Sequence, residues 1–233
     1  MNNKNRDHLA ILPDLETYWS LSVPSDVVTC SVATKEMINI CSHIFQSFDG
    51  FVQPFGISYK ILLYPEGQKV PYENQTEFIE TIERELHSDE VLDIDDFITS
   101  TQITTNEARW IPRVYFNHNR VKIQLKDGEK YIGRTESCVV YRHGDSLEND
   151  PTYDPLELEI WFAPNHEKSL DSDFVFYIKI KPHSDIWFED SDIGKANRRN
   201  LSSFLARITS ELPVGTIRRE SNWYSESEME DIY

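Results

Sequence analysis

Two runs of strict alternation constrain this chain more than any other feature in it. Leu156, Leu158, Ile160 and Phe162 alternate with Glu157, Glu159 and Trp161. Phe174, Phe176, Ile178 and Ile180 alternate with Val175, Tyr177, Lys179 and Lys181. Successive side chains of a strand point to opposite faces. One face is therefore wholly apolar and the other mixed, the signature of an antiparallel sheet covered on one side. Asp185-Ile186-Trp187-Phe188 reads as a further short strand, which completes a meander over residues 156–188.

A second β signal lies upstream. Val121, Ile123 and Leu125 alternate up to Asp127-Gly128, and Tyr131 and Ile132 follow. Asp-Gly between two such runs predicts a tight type I′ hairpin over residues 121–134, with Lys126 facing Glu129. Ile57, Tyr59, Ile61 and Leu63 predict one more strand, and Leu9 to Leu21 one short strand or helix.

Three segments carry helical spacing. Met37, Cys41, Ile44 and Phe48 share a stripe over residues 35–48, with Thr34 as a suitable cap. Phe78, Ile79, Ile82 and Leu86 do the same over residues 75–87, where Asn74 can cap and Glu77 sits at the capping-box position. Ile193, Asn197, Leu201, Phe204, Leu205, Ile208 and Leu212 predict a last helix over residues 193–212, capped by Asp192 and stopped by Pro213. The expected fold is α+β: an antiparallel sheet with helices flanking it. No break in composition divides the chain, so residues 1–219 are read as one domain. Residues 220–233, rich in Ser and Glu, are read as a disordered acidic tail.

Charge narrows the range of functions. Of 233 residues, 40 are acidic and 23 basic, a net charge of -17. Residues 66–96 hold eleven acids against Lys69 and Arg84, and residues 143–173 hold nine against Lys168 alone. Such a balance argues against duplex nucleic acid or an anionic membrane surface as partner, because phosphate binding needs a basic face. It suits a basic protein partner, whose approach clustered acids would steer. No apolar run is long enough to span a bilayer. The first eight residues carry no apolar signal core, so the expected location is cytoplasmic. Three scattered cysteines make no disulfide scaffold.

The search for catalytic patterns returns little. No Gly-rich phosphate loop, nucleophile elbow or His-Glu-x-x-His helix occurs. Cys30, Cys41 and Cys138 lack zinc-ligand spacing, and no cofactor is implied. His143, Asp145, Asp150, Asp154 and His166 are close enough in sequence to converge on a divalent metal or to act as acid and base. Solvated loop residues account for the same composition. Lys195, Arg198 and Arg199 stand in the first turns of the last helix, where positive charge opposes the dipole; they suit an anionic contact or compensation by Glu189, Asp190 and Asp192.

The mixed sheet face is the stronger candidate. Strand parity places Trp161, Tyr177 and Trp187 there, among Glu157, Glu159, Lys179 and Lys181. Aromatic anchors inside a charged rim are the composition of a protein-binding patch. A second layer of core, packed under the N-terminal half, has the same composition. The expected function is a non-enzymatic binding protein, an inhibitor or immunity-type protein that neutralises a basic partner such as a toxin. Its contacts are assigned to Asp93, Asp95, Asp96, Glu157, Glu159, Trp161, Tyr177 and Trp187. A metal-assisted hydrolase working through the loop His and Asp residues is the alternative, and a subunit of a larger assembly is a third.

Overall fold

The computed structural model describes residues 9–12, 14–25, 30–53, 56–63, 77–85, 110–117, 119–134, 138–142, 146–148, 153–164 and 174–233. The strands are β1 (Leu9–Ile11), β2 (Thr17–Ser25), β3 (Val52–Gln53), β4 (Gly56–Leu63), β5 (Glu77–Glu85), β6 (Trp110–Asn117), β7 (Arg120–Leu125), β8 (Gly128–Ile132), β9 (Cys138–Arg142), β10 (Ser146–Glu148), β11 (Leu156–Pro164), β12 (Phe174–Pro182) and β13 (Thr216–Ser221). The helices are α1 (Cys30–Ser47), α2 (Asp192–Glu211) and α3 (Glu226–Glu230).

A seven-stranded antiparallel sheet organises the fold in the order β13-β2-β12-β11-β6-β4-β5. The alternation at 156–181 produces its central pair, with Ile160 opposite Ile178 and Phe162 opposite Phe176. Trp19, Leu21 and Val23 of β2 extend the same apolar face and are buried, as are Val114 and Phe116 of β6. The hairpin expected at 121–134 is present as β7 and β8, within a separate three-stranded sheet in the order β3-β7-β8. A third sheet joins β1 to β9 in parallel and β9 to β10 in antiparallel fashion.

Helices α1 and α2 cover the apolar face. Phe48 meets Phe116 edge-on at 5.2 Å between ring centroids, and Phe204 of α2 lies 5.9 Å from Phe48 and 5.3 Å from Phe51. Edge and tilted contacts of this kind add to the burial of the rings themselves. Asn197 is the one polar residue on the α2 stripe, and it is fully buried. Its amide nitrogen donates to the Gln124 carbonyl at 2.9 Å, and its oxygen accepts from the Gln124 N–H at 2.8 Å. The pair ties α2 to β7 and satisfies backbone groups that burial would otherwise strand.

Several expectations are corrected. The helix expected over 75–87 is instead strand β5, paired antiparallel with β4 and bulged opposite Ile61 and Leu62. Pairing with the otherwise open edge of β4 overrides the local helical spacing, and Ile79, Thr81 and Ile82 are residues that strands favour. The first helix begins at Cys30, so Thr34 lies inside it. The cap of α2 is Ser191, whose Oγ accepts from the Gly194 N–H at 2.9 Å, rather than Asp192. Gly194 is needed there, because a Cβ would meet the Glu189 carbonyl at 2.3 Å. Neither Lys126 nor Asp127 at the hairpin turn has positive φ, so the turn is not type I′. Gly128 takes φ 121 instead, and Glu129 stands across from Gln124 and pairs with Lys122 at 2.8 Å.

Residues 185–188 form a turn, closed by the Phe188 N–H on the Asp185 carbonyl at 2.9 Å, and not a strand. The segment from residue 220, expected to be disordered, is built into the fold. Strand β13 runs to Ser221, Ser225 and Glu228 close a capping box on α3, and Met229 and Ile232 are buried. Buried Met229 and Ile232, the Tyr224 stack on Phe188 and the bond from Arg219 to the Tyr233 carbonyl hold a segment whose average composition is polar. No described helix is long and apolar enough to cross a membrane.

Candidate partner-binding face

The side chains opposite the helix-covered face come from β13, β2, β12 and β11. Register places Trp161 directly across from Tyr177, Glu159 from Lys179 and Glu157 from Lys181. The Trp161 and Tyr177 rings stack at 5.3 Å with 20° between their planes. Both stay partly exposed. Next to them Tyr177 faces Ser22 and Lys179 faces Ser20, so the same rows continue into β2. The Lys179 ammonium sits 4.1 Å above the Tyr18 ring, a cation–π contact. Tyr18 donates its hydroxyl to the Glu220 carboxylate. Burial and that carboxylate together push the Tyr18 phenol up to about 12. The face is not uniform, since Ser22 and Val175 on it are buried.

One end of the face is polar and enclosed. His183 is buried, its Nε2 lies 3.1 Å from Glu157 Oε2 without hydrogen-bond geometry, and the Tyr153 ring is 5.7 Å away. Burial alone would raise the Glu157 carboxyl. The His183 ring outweighs it, helped by Lys181 and Arg134, and holds Glu157 below the usual carboxylate range. Beside it, Asp154 is wholly buried and takes a two-point contact from Arg134, at 2.7 and 3.2 Å. Burial lifts the Asp154 carboxyl above its ordinary range against the pull of Arg134 and the Asn119 N–H.

The face therefore assembles Glu157, Glu159, Trp161 and Tyr177 of the expected contact residues. Trp187 is a correction. It is fully buried in the core cluster, because the chain turns after Pro182 and strand parity no longer applies. Asp93, Asp95 and Asp96 lie outside the described residues, as do His143, Asp145, Asp150 and His166 of the metal alternative. Asp154, the remaining member of that set, is committed to Arg134. Among the described residues no group of three or more His, Cys, Asp or Glu is placed to hold a metal. Cys41 is buried, and burial raises its thiol far above the ordinary range, where it is inert. The odd bases of α2 also find structural work: Arg198 donates to the Trp187 and Glu189 carbonyls at 3.0 and 3.3 Å, and Lys195 pairs with Asp190 at 2.9 Å.

Tyr18 joins the face without having been expected there. Its signal was the alternation of Trp19, Leu21 and Val23, which sends Tyr18 to the opposite side. The charges of the face alternate in sign, as the strand parity implied, and β13 adds to them. Lys179, Lys181 and Arg218 stand among Glu157, Glu159 and Glu220, so bases match acids within it. Comparison with known proteins gives no relative, since no known family matches the sequence and neither the curated proteins nor the solved structures yield a match.

Proposed function

We propose that this chain is a non-enzymatic binding protein that neutralises a basic protein, in the manner of an inhibitor or of an immunity protein holding a toxin. The sheet face around Trp161 and Tyr177 seats that partner. The observation that carries this reading is the stacked Trp161–Tyr177 pair, partly exposed, on the side of the sheet that bears neither α1 nor α2. Rigid aromatics anchored in a sheet bury large area on contact and lose little entropy in doing so. The basic character of the partner follows from the net charge of -17.

Affinity capture from the native cell extract, washed at low and then high salt, tests the reading. The expected outcome is one basic protein that elutes with salt and binds Trp161→Ala at least tenfold more weakly, an effect of the size that anchor residues show. Unchanged affinity in a folded Trp161→Ala protein removes the sheet face from the interface. Tight calorimetric binding of Mg²⁺, Mn²⁺ or Zn²⁺ would turn the assignment to the hydrolase.

A further inference from the structure

Trp223 is exposed to 53 %, and no other large hydrophobic residue is exposed among the described residues. Its backbone is held from both sides. Asn222 exchanges hydrogen bonds with the start of β2: its N–H donates to the Glu16 carbonyl at 3.1 Å, its Oδ1 accepts from the Glu16 N–H at 3.0 Å, and its Nδ2 donates to the Asp14 carbonyl at 2.8 Å. Ser221 Oγ accepts from the N–H groups of Trp223 and Tyr224 at 3.1 and 2.9 Å. The Tyr224 ring stacks on Phe188 at 3.7 Å, and Phe188 on Trp19 at 6.3 Å. Directly after Tyr224, the Ser225–Glu228 capping box opens α3. An indole at the surface costs solvation, and a turn locked by so many bonds presents it in one place. A partner that meets Trp223 has little backbone ordering left to impose.

The surroundings say what kind of group it meets. Residues 221–233 contain four acids and no base, and Arg219 just upstream is engaged by the end of the segment, donating its Nε to the Tyr233 carbonyl at 2.6 Å. Glu226, Glu230 and Asp231 are exposed, and Glu226 and Glu230 are members of the short helix that follows the turn. Among the described residues no other exposed large apolar side chain widens Trp223 into a greasy patch. A lone exposed indole within an acid-rich segment suits a cation, since Trp is the best aromatic host for an ammonium or guanidinium. The contrast with the sheet face is direct, for there acids and bases cancel.

We propose that Trp223 is the anchor at which this chain takes up a basic protein surface, with an arginine or lysine side chain lying on its indole. This rests on the reading that the partner is basic, and it moves the charge-selective contact from the sheet face to the turn between β13 and α3.

A short arginine–serine peptide, titrated at low salt against the full chain and followed by calorimetry, tests it. The wild-type chain binds the peptide, Trp223→Ala weakens binding about tenfold, Trp223→Phe keeps part of the affinity because a phenyl face is the weaker host, and Trp161→Ala binds as wild type. A glutamate–serine peptide does not bind. Undiminished binding by a folded Trp223→Ala chain overturns the anchor, and a loss confined to Trp161→Ala overturns it while leaving the basic-partner reading intact. Absence of binding by the wild-type chain overturns both. Sedimentation showing a dimer that Trp223→Ala dissolves makes a second copy the occupant, and overturns the proposal.

Discussion

The two faces of the seven-stranded sheet are products of the same alternation, yet they do opposite things. On one side Trp19, Phe116, Ile160, Phe162, Phe176 and Ile178 are sealed under α1 and α2. On the other, Trp161 and Tyr177 stack in partial contact with solvent among lysines and glutamates. Stability should therefore reside on the first face and tolerance to change on the second. A protein built this way can vary the residues of the second face without rebuilding its core.

Denaturant unfolding of single variants probes that division. Phe204→Ala, which empties a site shared with Phe48 and Phe51, should cost about 3–5 kcal/mol. Asn197→Leu should cost about 2–3 kcal/mol, because the Gln124 N–H and carbonyl both lose their buried partner. Gly194→Ala should cost about 1–3 kcal/mol through the clash with the Glu189 carbonyl. Trp161→Ala should cost at most about 1 kcal/mol, within the range of a single cross-strand pair. A loss at Trp161 as large as that at Phe204 would show that both faces are core, and the comparison would fail.

The smallest effect is expected at Glu157, and it is read as a slope. Its carboxyl is held low in the folded chain, so its contribution is fully present above the ordinary carboxylate range and is lost as pH falls through the folded value. Glu157→Gln should therefore lose stability less steeply than wild type on acidification. Equal slopes would mean that the His183–Glu157 contact has no energetic weight.

How much of this was legible before folding depended on whether local pattern and tertiary demand agreed. At 156–162, 174–181 and 193–212 they did. Alternation or helical spacing there ran long enough to dominate, and the strands and helix formed as read. At 77–85 they did not, since the spacing of Phe78, Ile79 and Ile82 suits a helix while the edge of β4 accepts a strand. Trp187 shows a subtler limit. Parity is a property of a continuous strand, and extending it past Pro182 into a turn moved a core residue to the surface on paper. Trp223 carries no periodic signal at all. Its turn is fixed by Asn222 finding partners at Asp14 and Glu16, some two hundred positions earlier.

The strand order has a consequence for synthesis. Strand β2, residues 17–25, lies between β12 and β13, residues 174–182 and 216–221. On a ribosome its two neighbours emerge well after it, with a delay of roughly ten to forty seconds at ordinary elongation rates. Through that interval Trp19, Leu21 and Val23 have no strand to pair with on either side. Such distant pairing makes for a slow folder, and the nascent chain is open to aggregation or to a chaperone's grip until β12 and β13 arrive.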